Sequence, residues 1–196
     1  MILKALHKLA SIGPVYDLIQ TVGGIKLVYR RFRRVLGSHT SYRTVLDIGG
    51  GTGRIQSLLS SDCKYYCLDN EAPKLLQFRS RTKDGLAILG DATRTPVAGA
   101  SMDLVLCVAV SHHLNDDELQ CMLVEITRIL RPDGRLLFYD ALWKRRWWPG
   151  RLLWSLDRGS NPRTKEALVS IIAKHTRIIH QEEFRLGHEY ILLIAR

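Results

Sequence analysis

The chain has no apolar run that approaches the roughly 20 residues of a membrane-spanning helix. A spanning segment is therefore not expected anywhere in its 196 residues. Cysteine is scarce: Cys63, Cys67, Cys107 and Cys121 are the only four. None forms C-x-x-C, and no Cys/His set has the spacing of a zinc site, so the pattern points away from a metal. Cys107 and Cys121 fall in apolar patterns and read as buried thiols, which suits a reducing, intracellular setting. The first residues, MILKALHKLASIG, lack the uncharged core of a signal peptide, because Lys4, His7 and Lys8 interrupt it. Export is not expected, and a cytoplasmic location is. Internal repeats and low-complexity tracts are also missing.

Acidic residues are the other shortage. Nineteen Asp and Glu stand against 29 Lys and Arg, a net charge of +10. The imbalance is uneven: residues 1–44 carry +7, residues 45–140 carry −3, and residues 141–196 carry +6. A slightly acidic centre therefore lies between two basic flanks. The length fits one domain with a full-sized core, and the 46% hydrophobic content is that of an ordinary soluble domain.

What is present is an alternation of strands and helices. Residues 44–48 read as a first strand, followed by a helix with Ile55, Leu58 and Leu59 on one face. Tyr65 to Leu68 is a second strand, ending at Asp69. Pro73 suits the first turn of the next helix, which turns Leu75, Leu76 and Phe78 to the core. Leu86 to Leu89 is a third strand. Asp103 to Val110 is a fourth, nearly all apolar, as a strand covered on both faces must be. Asn115 and Glu118 form a capping box for a helix carrying Leu119, Met122, Leu123, Ile126 and Leu130. Arg131-Pro132-Asp133-Gly134 is a turn that stops it, and Arg135 to Asp140 is a fifth strand. A helix near 165–174 precedes two strands, roughly 177–184 and 189–195. The short link at Gly187 permits only a hairpin. These elements predict a doubly wound α/β sheet of seven strands, mostly parallel, with an antiparallel final strand.

The segment Val45–Ile55, VLDIGGGTGRI, carries the chemistry. Strand residues lead to Asp47, and glycines follow at 49, 51 and 53. Glycine accepts φ > 0 and has no Cβ, so a ligand can lie against this backbone. Dinucleotide folds place glycines as G-x-G-x-x-G, but counting from Gly49 the last position holds Arg54. The pattern is instead D-x-G-x-G-x-G. In this it resembles the first motif of the class I S-adenosylmethionine (SAM)-dependent methyltransferases.

That resemblance extends over roughly residues 42–140 as an ordered series. It implies a Rossmann-like fold and SAM as cofactor, with S-adenosylhomocysteine as product. Asp47, Gly49, Gly51 and Gly53 match the loop that holds the methionine part. Asp69, with Asn70 beside it, matches the acid for the ribose hydroxyls, a role that suits a carboxylate because it accepts two bonds from a vicinal diol. Gly90-Asp91-Ala92 matches the adenine-contacting turn. Residues 90–114 and 125–140 resemble the later motif regions, and Val110 falls near the methyl group. The closest likeness is to the branch that includes quinone-ring and lipid methyltransferases.

Methyl transfer from a sulfonium requires alignment and exclusion of water more than protein chemistry. A general base is needed only where the acceptor must lose a proton, and His113 and His112 are the candidates. Asp140, at the end of strand five, points toward the expected substrate side. The family's Asn/Asp-Pro-Pro-Tyr/Phe signature for exocyclic amines is absent, since the chain reads Ala109-Val110-Ser111-His112.

All four tryptophans, Trp143, Trp147, Trp148 and Trp154, lie within twelve residues. Lys144, Arg145, Arg146, Arg151, Arg158, Arg163 and Lys165 lie among or just after them. The other flank has an apolar start in Ile2, Leu3, Leu6 and Leu9, then Lys26, Arg30, Arg31, Arg33 and Arg34. Tryptophan favours the membrane interface, and cations favour anionic headgroups. One reading makes these flanks a lid over an amphiphilic acceptor, resting on a membrane surface. A second packs the tryptophans onto the core and leaves the cations in water. A third takes nucleic acid, with phosphates on the cations and bases on the rings. The overall expectation is transfer to oxygen or carbon of a small hydrophobic or amphiphilic acceptor. An RNA methyltransferase and a non-catalytic SAM-binding scaffold are the alternatives.

Overall fold

A computed structural model of the chain describes residues 24–37, 42–82, 84–144, 154, 161–186 and 188–196. Helix α1 (Ile25–Leu36) comes first, then β1 (Thr44–Ile48), β2 (Lys64–Asp69), α2 (Ala72–Arg81), β3 (Leu86–Leu89) and β4 (Met102–Val108). Helix α3 (Asp116–Ile129), β5 (Leu130–Leu142), α4 (Lys165–Ala173), β6 (Ile178–Leu186) and β7 (His188–Ala195) complete the order. One seven-stranded sheet results, in the order β3-β2-β1-β4-β5-β7-β6. Strands β1 to β5 are parallel neighbours, and β7 runs antiparallel to both β5 and β6.

Alternation along the central strands divides the core in two. In β4, Val105 and Cys107 join Leu46, Phe138 and the apolar stripes of α3 and α4 on one face. Leu104 and Leu106 join Val45, Leu137 and the stripes of α1 and α2 on the other. Helix α3 buries Leu119, Met122, Leu123, Ile126 and Ile129, each adding roughly 1.5–3 kcal/mol of burial. Its capping box is made as the sequence implies: Asn115 Oδ1 accepts Glu118 N–H at 3.0 Å, and Glu118 Oε2 accepts Asn115 N–H at 2.8 Å.

Four expectations need correction. The helix after the glycine loop is only a 3-10 turn, Arg54–Leu58. Ile55 is buried there, while Leu58 and Leu59 are half-buried. The turn expected at 131–134 lies inside β5, as a bulge opposite β4 where the register shifts between Met102 and Leu104. Leu76 points to solvent, 68% exposed, because only Leu75 and Phe78 fall on the buried face of α2. Cys121 is also exposed, since α3 turns it away from the sheet, whereas Cys107 is buried as expected.

Candidate functional site

The glycine loop leaves β1 at the carboxyl ends of the parallel strands, where open α/β sheets bind ligands. Gly49, Gly51 and Gly53 have φ of 64°, 56° and 69°, a left-handed conformation that L side chains rarely adopt. Space matters as well. A Cβ on Gly49 would lie 2.5 Å from Val110 Cγ2, and one on Gly53 would lie 2.2 Å from Phe78 Cδ2. At Gly51 a Cβ would instead make ordinary contacts, with Lys74 Cδ at 3.7 Å and Asp69 Oδ2 at 3.9 Å.

Asp69 ends β2 and ties the loop down. Its Oδ2 accepts the Gly51 N–H at 2.9 Å, and its Oδ1 accepts the Glu71 N–H at 2.8 Å. The side chain is 4% exposed, so it forms a floor rather than an arm. A carboxylate oxygen has two lone pairs, so each keeps acceptor capacity after these bonds. Asn70 beside it is exposed. On the far side of β2, Asp91 is exposed and folds its own turn, its Oδ1 accepting from Thr93 N at 2.8 Å and from Thr93 Oγ1 at 2.9 Å. Ala92 packs half-buried against the core.

Asp47 is deeper than the sequence suggests. It is buried on the β1 face that carries Val45, Tyr65 and Cys67. The Tyr65 hydroxyl, one strand away, donates a hydrogen bond to it. Burial pushes the Asp47 carboxyl up to about 7, the Tyr65 bond pulls it down, and the charge of Asp69 adds to the rise. It stands behind the loop: a Cβ on Gly50 would come within 2.8 Å of its carboxyl.

A second cluster follows β4. Ala109 has φ of 56°, a left-handed conformation that costs a non-glycine residue about 1–2 kcal/mol. Its N–H is held by Tyr139 O at 2.8 Å. The kink sets Val110 against Gly49 and begins a turn, Ser111–His113. His112 is buried, and its Nδ1 lies 2.6 Å from Asp140 Oδ1. Ser111 Oγ and the Ala141 N–H also donate to Asp140. Burial pushes the Asp140 carboxyl up, but the His112 and Ser111 bonds more than offset this and hold it below its ordinary range. An ionised carboxylate only accepts, so Nδ1 of His112 carries a proton toward Asp140. Asp140 is thus a buried support for His112. His113 is exposed, with its ring centroid 4.2 Å from that of His112.

Arg163 locks this turn from behind. Its guanidinium donates to Ser111 O and Leu114 O at 2.7 Å and to Asp116 Oδ1 at 2.8 Å, and it is buried. Trp154 lies edge-on to His112 with centroids 5.6 Å apart. The roles of Arg163 and of Tyr65 were not legible in the sequence. Arg163 sits in a basic run with nothing to distinguish it, and the Tyr65–Asp47 bond depends on register between strands.

The basic flanks are partly engaged. Arg31 and Arg34 of α1 pair with Glu182, and Lys165 pairs with Glu183. Trp143 is half-buried, and Lys144 reaches Glu189 at 3.4 Å. Trp147, Trp148, Arg145, Arg146, Arg151, Arg158 and the apolar start at Ile2–Leu9 lie outside the described residues.

Residues 46–138 match the family described as methyltransferase domain. The demethylmenaquinone methyltransferase of Deinococcus radiodurans is 32% identical over 142 residues, 67% of this chain and 57% of that relative. An uncharacterized methyltransferase of Oceanobacillus iheyensis is 24% identical over 67% of this chain and 64% of its own length. The chain spans about half to just under two-thirds of the curated relatives it matches first. Among solved structures, the N-methyltransferase NodS of Bradyrhizobium japonicum, bound to S-adenosylhomocysteine, superposes with a TM-score of 0.76. It is 14% identical, with 98% of this chain and 96% of NodS covered.

Proposed function

From its membership of the methyltransferase-domain family through residues 46–138, we propose that this chain transfers the methyl group of SAM to a small hydrophobic or amphiphilic acceptor. The observation that carries the reading is the glycine loop tied to Asp69. Three left-handed glycines present bare backbone, bordered at Gly51 by the Asp69 carboxylate. That donor set fits SAM: the acid accepts from a ribose diol, and the glycines admit the amino-acid portion against bare backbone. Asp47 adds a carboxyl behind the loop that balances the cofactor's cationic charge. Asn70, Asp91 and Ala92 border the adenine side, and Val110 the methyl side.

When bound, SAM supplies the electrophilic methyl group. The protein's own work is positioning. Val110, set by the Ala109 kink, closes the loop on the acceptor side. His112 Nε2 takes a proton from an acceptor hydroxyl, and Asp140 holds the ring and balances the charge that forms. His112 suits this role because its ring is bonded to a buried carboxylate. Transfer to ring carbon uses the same base to remove the ring proton afterward. Quinone-type acceptors are favoured by the likeness to the Deinococcus radiodurans protein.

Calorimetric titration with SAM and S-adenosylhomocysteine tests the cofactor assignment. Low-micromolar binding is expected for the wild type, with Asp69→Ala weakened at least tenfold, since a buried carboxylate bond to a ligand is worth about 1.5–3 kcal/mol. Equal affinity in the two proteins removes Asp69 from the site.

A further inference from the structure

Six aromatic and imidazole rings form a continuous wall over the upper ends of β4, β5 and β7. Tyr139 stacks on Tyr190 at 5.1 Å, Tyr190 meets His188 at 5.9 Å, and His188 meets Trp154 at 5.3 Å. Trp154 then meets His112 at 5.6 Å, and His112 meets His113 at 4.2 Å. Both contacts of Trp154 are edge-to-face, at 71° and 80°. The indole is 7% exposed, and its Nε1–H finds no hydrogen-bond partner among the described residues.

We propose that Trp154 orients the acceptor: its indole Nε1–H donates a hydrogen bond to an oxygen borne by a planar ring that lies along this wall. The inference rests on the methyltransferase reading and sharpens its acceptor class to oxygenated aromatic or quinonoid rings.

Indole nitrogen is a donor only, so it cannot be satisfied by a neighbouring N–H. Leaving a buried donor unpaired costs about 1–3 kcal/mol, and such groups are rare enough to demand an explanation. A ligand oxygen supplies the missing partner and recovers that cost on binding. The rings select the rest of the ligand. Edge-to-face pairs at 5.3–5.6 Å are ordinary aromatic contacts, and a flat ring extends the same pattern. A flexible chain has no such complement. Position agrees: Trp154 touches the ring of His112, the residue assigned to the acceptor's proton. A site built to bond an oxygen rejects analogues that lack it, because its own donor is then left unpaired.

The test compares 2,3-dimethyl-1,4-naphthoquinone with 2,3-dimethylnaphthalene, which has the same ring shape without oxygen. Both ring positions beside the carbonyls are blocked, so the exposed thiol of Cys121 cannot add to the quinone. Affinities are measured for the wild type and for Trp154→Phe, which keeps a ring but loses the N–H. SAM affinity is measured alongside. The quinone is expected to bind the wild type about tenfold more tightly than the hydrocarbon, and Trp154→Phe to lose that factor. Hydrocarbon and SAM affinities should stay within about twofold. Two results overturn the proposal: Trp154→Phe binding the quinone as the wild type does, or losing SAM and hydrocarbon to the same degree. Wild type that binds SAM but not the quinone also overturns it, while the cofactor assignment stands. Quinone binding that depends on Trp154 without SAM binding supports it and instead removes the methyltransferase reading.

Discussion

Asp47 illustrates how one buried carboxyl can set a pH response. Its carboxyl sits near 7 in the fold, against 3.8 for an ordinary one, with burial the leading cause. Between those values the folded state holds a proton that the unfolded chain has released. The contribution is fully present below the ordinary carboxyl range and is lost as pH rises through about 7. The slope is about 1.4 kcal/mol per pH unit across that window. Asp47→Asn removes the titration and keeps an acceptor for Tyr65. The variant is expected to melt higher than the wild type at pH 8 and to lose that advantage by pH 5. Parallel thermal melts decide the matter, and a gap that does not change with pH rules out Asp47 as its source. A cationic ligand should also draw the proton off Asp47. SAM binding at pH 6.5 is therefore expected to release a fraction of a proton from Asp47, visible as a buffer-dependent heat.

The residues of the glycine loop were legible because their chemistry is local. Positive φ and the absence of Cβ belong to glycine itself, and spacing excluded the dinucleotide pattern. The supporting residues were not legible. Tyr65 reaches Asp47 only because β2 sets Cys67, not Tyr65, opposite it. Ala109 looks like any residue at a strand end, and its left-handed φ arises from where β5 fixes its N–H.

At the scale of elements, Arg163 holds the His112 turn to the segment that enters α4. Its three bonds, the one to Ser111 O buried and the other two part-buried, satisfy two carbonyls and a carboxylate. Arg163→Ala should cost about 2 kcal/mol, since it leaves the buried Ser111 carbonyl unpaired, and lower the melting temperature by roughly 4–8 °C. Arg163→Lys should not restore it, because an ammonium cannot span three acceptors set for a planar fork. Full recovery in the lysine variant would show that charge alone suffices. Helix α3 was legible to its cap because apolar period and capping box agree. The segment after the glycine loop was not: Ile55, Leu58 and Leu59 have helical spacing, but the short path from Gly53 to β2 leaves room for a single 3-10 turn. The bulge in β5 was hidden similarly, since Pro-Asp-Gly signals a turn whether or not the strand resumes its pairing.

For the whole molecule, sheet class and direction followed from the alternation of elements, and the antiparallel end from one short link. Strand order did not, because β7 lies between β5 and β6 and nothing local encodes that. The division of charge remains a property of the whole surface. Partners in Glu182 and Glu183 engage Arg31, Arg34 and Lys165, yet the flanks stay net basic. If they rest on anionic lipid, co-sedimentation with phosphatidylserine vesicles should be substantial at low salt and fall steeply by 0.3 M, as screening requires. Equal recovery with neutral vesicles would leave the cations a solvated surface.

The place of β7 also bears on how the chain matures on a ribosome. Strand β5 presents its outer edge as soon as it is made, but the partner for that edge arrives only after α4 and β6 have been synthesised. Until then an apolar edge stands open beside the His112 turn, and β6 has no place in the sheet. The nascent chain therefore passes through a vulnerable interval in which β1 to β5 are assembled and the β6–β7 end of the sheet is not. Chaperone dependence should be concentrated in that interval.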